Sequence, residues 1–276
     1  MKLAAYFDRI GYSGPEAPDF ATLNALMRAH AGAVPFENLD VQLGRRTGIE
    51  LPGIYAKIVG ARRGGWCYEQ NGLFGWALGA LGFEVRRISC GVLRVANGDA
   101  AIGNHLGLIV TLDGKPWLVD VGFGGSQAAP IPLAEGEHAH APYGIRLARA
   151  DDGYWRLSEW IEPGKEFSFD FREGPADEAL FAEKCISLQT DTESPFVQNL
   201  VVQQRQGASH VTLRGRLLSR RDAEGETRRL VGSADELVET IGTVFGLDVP
   251  EIAGIWDRIA ERHAALFPDD AAALAC

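Results

Sequence analysis

Residues 62–72 read RRGGWCYEQNG, and they place Cys67 between a glycine turn and an apolar helical run. Apolar residues recur after Cys67 at spacings of three and four as far as Leu81, and Gly82 stands where a helix usually ends. The pattern therefore predicts a helix that begins at or near Cys67. Unpaired N–H groups and the positive end of the helix dipole stabilise a thiolate there, and two preceding arginines add positive charge. The alternative is that Cys67 is a small buried residue, as most free cysteines are.

The clearest strand pattern lies further along the chain. Residues 105–112 (HLGLIVTL) and 115–121 (KPWLVDV) flank residues 113–114 (DG), a two-residue turn of the kind that closes a β-hairpin. Pairing across this turn makes His105 a diagonal neighbour of Asp120 on one face, at roughly 7–8 Å between backbones. An imidazole and a carboxylate can meet over that distance. The alternative is a core histidine and a strand-end aspartate with unrelated roles.

Composition and charge exclude several classes of protein. The chain has 276 residues, of which 46% are hydrophobic, and this is typical of a globular protein of one to three domains. Its net charge of −10 argues against general binding to nucleic acid or to an anionic membrane. The N-terminus lacks the apolar core of a signal peptide, and no apolar run approaches membrane-spanning length. We therefore expect a cytoplasmic protein.

The four cysteines are too widely spread for a zinc site or a disulfide framework. We expect reduced thiols and no metal. Cys90 and Cys185 lie in apolar patterns that predict core positions, whereas Cys276 is a tail residue with no assignable role.

The order of the periodic patterns indicates the fold class. Helical stripes dominate the first third of the chain, strand patterns dominate the middle, and the last third mixes short strands with helices. Ser233 and Glu236 form a capping box at the start of one of these late helices. Together these patterns predict an α+β architecture.

Four motifs resemble those of the arylamine N-acetyltransferases. They are VPFENLD (34–40), RGGWCYE (63–69), HL (105–106) and VDVGFG (119–124), in that order. They contain a cysteine, a histidine and an aspartate, the residue types of a nucleophile, its base and the acid that orients the base. The resemblance covers most of the chain and is weakest in the last third.

The resemblance implies a particular form of the α+β fold. It would have a cysteine-protease-like core, with a helical domain over residues 1–82 that carries the nucleophile. A β-barrel-like domain over residues 83–190 would carry the histidine and the aspartate. Residues 191–276 would form an α/β C-terminal lid.

The resemblance also implies an activity, the transfer of an acetyl group from acetyl-CoA to arylamines, hydrazines or N-hydroxyarylamines. Cys67 would attack the thioester, CoA would leave, and the amine would attack the acetyl-cysteine while His105 accepts its proton. Asp120 would keep His105 in the productive orientation. The implied partners are small molecules and the implied role is xenobiotic metabolism, while the physiological amine and the oligomeric state stay open.

Further site residues follow from the same resemblance. Family positions that line the acceptor pocket match Phe36, Leu93 and Phe123, although Phe36 and Leu93 also suit a core. The glycine-rich loop after the hairpin could receive the CoA pyrophosphate through its backbone N–H groups, at Gly124, Gly125 and Ser126.

We expect three charged residues near Cys67 to stabilise the local structure. Arg63 and Glu37 are expected to pair beneath the site, either in a functional role or as a buried ion pair that shapes the loop. Glu69 is expected to cap the helix that Cys67 begins.

Three other functions remain open on the sequence. The same triad serves amide synthases that use polyketide or longer acyl donors, and it serves cysteine hydrolases. A binding module that has kept the fold is the non-enzymatic alternative, which the intact triad disfavours.

Overall fold

Helices build the N-terminal part of the protein. The structure, a computed structural model, describes residues 1–162 and 164–268. It begins with α1 (Leu3–Ile10), α2 (Phe20–Ala33), the two-residue strand β1 (Phe36–Glu37), α3 (Leu39–Gln42), α4 (Leu51–Tyr55), a π-helical turn (Ala56–Gly60) and α5 (Cys67–Ala80). Helix α5 lies in the middle of this group, with Phe74 and Leu78 fully buried among apolar residues of α1 and α2. The helix predicted to begin at Cys67 is confirmed.

Eight antiparallel strands form a barrel-like sheet around a second core. They are β2 (Glu84–Val92), β3 (Ile102–Leu112), β4 (Lys115–Val119), β5 (Ile131–Pro132), β6 (Gly136–His140), β7 (Tyr143–Arg149), β8 (Trp155–Trp160) and β9 (Phe167–Phe171). Their spatial order is β5-β4-β3-β2-β9-β8-β7-β6. Helix α6 (Arg94–Asn97) and a 3-10 turn (Gly98–Ala101) connect β2 to β3. Alternate side chains of each strand, such as Leu157 and Phe169, point into the apolar interior.

The hairpin β3–β4 has the predicted register. Leu112 pairs with Lys115, and Leu108 pairs with Val119. Both residues of the connecting turn have positive φ angles, as a type I′ turn requires. The ladder ends at Val119, so Asp120 stands just beyond the last strand residue.

A bulge in β3 lies immediately before His105. The pairing with β2 changes register there, and Gly103 and Asn104 have no opposite residue. Gly103 has a φ of 88°, a value that glycine adopts at little cost. The Asn104 side chain accepts from the Val92 N–H at 2.8 Å and donates to the Val92 carbonyl at 3.2 Å. The bulge bends the strand and so sets the direction of the next side chain, His105.

The last third of the chain forms a second sheet with helices beside it. Its elements are α7 (Glu178–Thr190), α8 (Pro195–Gln198), β10 (Val201–Gln206), β11 (Ser209–Arg214), β12 (Leu217–Arg221), β13 (Glu226–Leu230), α9 (Ala234–Phe245), a 3-10 turn (Pro250–Ile255) and α10 (Trp256–Leu266). The sheet order is β1-β10-β11-β12-β13, so the early strand β1 forms one edge through the pairing of Phe36 with Gln203. Ser233 caps α9 by accepting from the Glu236 N–H at 3.2 Å, as predicted.

The structure confirms the α+β class and refines two local predictions. The mixed polar and apolar residues 34–40 predict a loop, but they contain β1 and the start of α3, where the Glu37 carboxylate accepts from the Leu39 N–H. Residues 97–99 (NGD) predict a turn, and they form the end of α6 and the start of the 3-10 turn. The division into three domains stays a prediction.

Other sequence predictions concern cysteines and membranes. Cys90 and Cys185 are buried and unpaired, as expected of core thiols, while Cys276 lies outside the described residues. Within the described ranges no helix is both long enough and apolar enough to span a bilayer.

Candidate active site

The Cys67 thiol lies at the first residue of α5, in the wall of a cavity. The Glu69 carboxylate accepts from the Trp66 N–H at 3.1 Å and so caps the helix start, as predicted. The N–H groups of the first turn, including that of Cys67, have no partner within a helix. The residue is buried, yet it contributes to the cavity wall. Its sulfur is 3.9 Å from the Asn104 carbonyl oxygen.

His105 and Asp120 meet as the hairpin register predicted. The Nε2 atom of His105 is 2.6 Å from Oδ2 of Asp120, and both residues are buried. The Cys67 side chain lies within hydrogen-bonding reach of the same ring. Because Nε2 is engaged by Asp120, Nδ1 is the atom left to face the sulfur. Rings of Phe123 and Phe169 pack on the imidazole, with centroids 5.2 and 5.1 Å away.

The protonation of His105 is set by two opposing effects. Burial by itself would lower the pKa of the ring, because a charge is poorly solvated there. The negative charge of Asp120, its hydrogen bond and the nearby Cys67 outweigh burial and raise the pKa of His105 to about 10. The ring is therefore an imidazolium at neutral pH, and this cation favours a thiolate on Cys67.

Asn71 holds the aspartate, and sequence reasoning missed it. It lies on α5 one turn after Cys67 and is fully buried. Its Nδ2 donates to Asp120 Oδ1 at 2.7 Å and to the Leu106 carbonyl at 2.6 Å, and its Oδ1 accepts from the Val121 N–H at 3.0 Å. One amide thus fixes the hairpin to the helix of the nucleophile. The only sequence signal is a polar residue on a helical face that is otherwise apolar.

A cluster of buried charges supports the turn that precedes Cys67. The predicted pair is confirmed: Arg63 lies 2.8 Å from Glu37. Lys57 lies 2.8 Å from Asp40 and 2.9 Å from Glu69, so two cations share three carboxylates. Burial would lower the pKa of Lys57, but the three carboxylates raise it above the usual value. Mutual pairing is what makes so many buried charges tolerable.

The cavity at the sulfur is large enough for a small aromatic substrate. Its volume is about 510 Å³, within the range of small-molecule sites. Its walls include the three residues predicted for the acceptor pocket, Phe36, Leu93 and Phe123. Phe123 stacks on Phe167, with ring centroids 5.3 Å apart. Whether these residues bind a substrate stays a prediction.

The loop predicted to bind the CoA pyrophosphate through its backbone N–H groups has its carbonyl groups bonded within the protein. Gly124, Gly125 and Ser126 are buried. The Gly124 carbonyl accepts from His210 at 2.6 Å, while Arg205 donates to the carbonyls of Gly125 and Ser126 at 2.8 and 2.6 Å. These contacts hold the loop in place next to Gly122 and Phe123 of the cavity wall. The assignment of the loop to CoA stays a prediction.

Several polar residues of the cavity were not identified from the sequence. They are contributed by strands of both sheets, namely Tyr143, Glu159, Gln203 and His210. Tyr143 and His210 are joined by a 3.0 Å hydrogen bond, and burial lowers the pKa of His210 to about 4. The alternation of Trp155, Leu157 and Glu159 along β8 was the one available signal. In residues 1–162 and 164–268 no cluster of three ligating side chains suits a metal ion.

The site joins a thiol at a helix start, a histidine and an aspartate in series beside a cavity. This arrangement is typical of enzymes with a cysteine nucleophile. Residues 19–253 match the family model described as N-acetyltransferase. The chain belongs to the arylamine N-acetyltransferase family, a family of acyltransferases. Arylamine N-acetyltransferase of Mycolicibacterium smegmatis is 35% identical over 272 residues, which covers 95% of this chain and 98% of that protein.

Solved structures of relatives confirm the predicted fold. The Mycobacterium marinum arylamine N-acetyltransferase in complex with CoA has a TM-score of 0.84 and 32% identity, covering 95% of this chain and 98% of that one. The Salmonella typhimurium enzyme has a TM-score of 0.83 and 28% identity, again covering 95% of this chain and 98% of that one. The fold is the α+β arrangement expected of this family, with a cysteine-protease-like core.

Proposed function

We propose that this protein transfers an acetyl group from acetyl-CoA to the nitrogen of arylamines, hydrazines or N-hydroxyarylamines through an acetyl-cysteine on Cys67. The observation that carries the proposal is the series Cys67–His105–Asp120, whose cysteine and histidine line a cavity of about 510 Å³. The CoA complex of the Mycobacterium marinum relative supports a CoA thioester as the donor. A cytoplasmic location and a role in xenobiotic metabolism stay predictions.

The first half of the reaction forms the acetyl-enzyme. The Cys67 thiolate attacks the thioester carbonyl, the carbon–sulfur bond to CoA breaks, and CoA leaves with the proton that His105 supplies. The negative oxygen of the tetrahedral intermediate lies near the helix start, where the free Cys67 N–H and the helix dipole stabilise it. The thioester of CoA and the thioester of Cys67 have similar free energies. The main task of the enzyme in this step is therefore to hold the thiolate and to position the carbonyl group.

The second half transfers the acetyl group to nitrogen. The amine attacks the acetyl-cysteine carbonyl, and His105 accepts the proton that the nitrogen loses as the bond to sulfur breaks. Asp120 stabilises the imidazolium that results. The aromatic walls at Phe36 and Phe123 suit a flat aryl ring.

Stoichiometric acetylation of Cys67 tests the proposal directly. Incubation with acetyl-CoA in the absence of amine should add one acetyl group, which peptide mass spectrometry should locate on Cys67. Addition of an aniline should then remove that group with formation of the anilide. The matched control is Cys185→Ala, which removes a buried thiol outside the triad and should leave acetylation intact.

An unmodified wild-type protein, or acetylation that persists in Cys67→Ala at the same stoichiometry, would overturn the proposal. A panel of longer acyl-CoAs in the same assay separates acetyl transfer from an amide synthase activity. Rapid loss of the acetyl group to water without transfer to amines would identify a hydrolase.

A further inference from the structure

A carboxyl group lies in the same cavity as the nucleophile and has no part in the mechanism above. Glu159 is on β8, opposite Ile145 of β7 and Phe167 of β9. It follows Trp155 and Leu157 at a spacing of two, and those two side chains are buried inside the barrel-like sheet. Because alternate residues of a strand share a face, Glu159 also points inward. It contributes to the cavity wall together with Cys67 and His105.

This carboxyl group has only one weak hydrogen-bond partner among the described residues. Its Oε2 atom is buried and has no hydrogen bond of normal geometry to a residue that the structure describes, and the Ser126 hydroxyl beside it, likewise without a well-formed bond, lies close enough to act on the carboxyl group as a weak donor. The Arg205 guanidinium faces the same region, but it donates to four backbone carbonyls rather than to Glu159. A buried carboxyl group whose hydrogen bonding is incomplete is costly to maintain, so its presence in the cavity wall points to a ligand that completes it.

The charges around Glu159 determine how it titrates. Burial raises the pKa of its carboxyl group to about 8, and the Asp120 charge acts in the same direction. The Ser126 hydroxyl, His105 and Arg205 act against that rise. Tyr143 and His210 are also cavity residues, and burial disfavours the charged form of both. Glu159 is therefore mostly neutral below pH 8 and mostly ionised above it.

We propose that Glu159 selects the amine acceptor, favouring aromatic amines whose ring carries a hydrogen-bond donor or a positive charge and rejecting those whose ring carries a carboxylate. The inference rests on the proposed function. A donor on the ring would complete the hydrogen bonding of Oε2, whereas a second carboxylate would meet like charge in a cavity with mostly apolar walls. The discrimination strengthens as pH rises through 8, where Glu159 becomes ionised.

Three anilines of similar size test the selection. They are aminobenzoate, aminobenzamide and aminophenyl-trimethylammonium, which carry a fixed negative, neutral and fixed positive group, each as the 3- and 4-substituted isomer. The kcat/KM of each is measured with acetyl-CoA at pH 6.5 and pH 9 for wild type, Glu159→Gln and Glu166→Gln. Glu166 is an exposed residue outside the cavity, so the last variant controls for the loss of one negative charge.

At pH 9 the cation-to-anion ratio of kcat/KM should be about tenfold or more higher in the wild type than in Glu159→Gln, the scale of one charge interaction in a cavity of intermediate polarity. Dividing by the ratio of the variant cancels the different nucleophilicities of the two amino groups. The difference between the two proteins should shrink at pH 6.5, while Glu166→Gln behaves as wild type. The neutral amide should change little in Glu159→Gln, because the glutamine carbonyl can still accept from its N–H groups. An unchanged ratio in Glu159→Gln, or an equal loss for all three anilines, would overturn the inference.

Binding measurements keep this test separate from the proposed function. Isothermal titration calorimetry of the same anilines to the free enzyme should show the same order of affinities and its loss in Glu159→Gln. If no variant acetylates any amine, the proposed function fails. The order of the affinities measured by calorimetry then tests the role of Glu159 independently. Equal affinities for the anion and the cation would refute that role.

Discussion

Replacement of Asp120 by asparagine is the sharpest test of the proposed mechanism. Asp120→Asn keeps the size of the side chain and the acceptor oxygen that receives bonds from Asn71 and from the Gly122 N–H. The atom that faces His105 becomes an NH2 group, which can only donate. The Nε2 atom of His105 must then accept, so the proton of the neutral ring moves to Nδ1. A ring in that form cannot take a proton from Cys67.

The structure gives the magnitude of this change. The pKa of His105 is about 10 against an ordinary 6.5, which corresponds to roughly 5 kcal/mol of preference for the charged ring. Burial opposes that preference, so removal of the carboxylate charge should bring the pKa of His105 below 6.5. The thiolate–imidazolium pair would then be lost at neutral pH. We expect kcat/KM to fall about 10⁴-fold, the scale known for loss of the acid in a serine triad.

Two assays separate this effect from simple misfolding. The rate of Cys67 alkylation by iodoacetamide reports the thiolate directly, and rapid-mixing acetylation by acetyl-CoA reports the first chemical step. Both rates should fall sharply at pH 7 in Asp120→Asn, while circular dichroism stays that of the wild type. Alkylation of the variant at the wild-type rate at pH 7 would show that Asp120 does not control the charge state of the pair.

The remaining predictions concern the residues that hold the triad, the stability of the fold and the acceptor pocket. Asn71→Ala should lose about 2–4 kcal/mol in urea unfolding and also slow acetylation, because it removes three hydrogen bonds and frees Asp120. Gln189→Ala on α7 likewise removes three hydrogen bonds to backbone and none to the triad, so it is the matched control and should keep its kcat. Lys57→Met should cost about 3–5 kcal/mol of unfolding free energy, because three carboxylates lose their shared cation; a loss below 1 kcal/mol would mean that the cluster is well solvated. Phe123→Ala should raise KM for anilines about three- to tenfold through loss of ring contacts, with acetylation by acetyl-CoA little changed. The folded protein holds a proton on Glu159 up to about pH 8, whereas the unfolded chain releases it near pH 4.5. Stability of the wild type relative to Glu159→Gln should therefore decline between these pH values and level off above pH 8, and a flat difference in chemical unfolding from pH 5 to 9 would contradict this.

The part of the site that the sequence could predict depends on local rules. The Asp-Gly turn determines the hairpin register, and that register brings His105 to Asp120. The start of α5 follows from its apolar spacing and from Glu69, which caps it. These features need only neighbours in sequence. For that reason composition and periodicity were enough to place them.

The part that the sequence could not predict depends on contacts between distant segments. Asn71 acts through atoms of a hairpin almost fifty residues away, and nothing in its own helix shows that. The alternation along β8 indicates which face Glu159 shares, but its position in the cavity depends on the pairing of β8 with β7 and β9. The carbonyl groups of the glycine-rich loop bond to Arg205 and His210, and these contacts could not be predicted because both residues come from the other sheet.

The short strand β1 connects the segment before α5 to strand β10 of the second sheet. Its residue Phe36 pairs with Gln203 on one side and bridges to Gly65 on the other, two residues before Cys67. Truncation before β10 should therefore abolish thiol reactivity as well as any closure over substrates. On heating, the N-terminal helices and the second sheet should unfold together, so the transitions followed by tryptophan fluorescence and by Cys67 exposure should have the same midpoint. Two separate midpoints would mean that the two regions unfold independently.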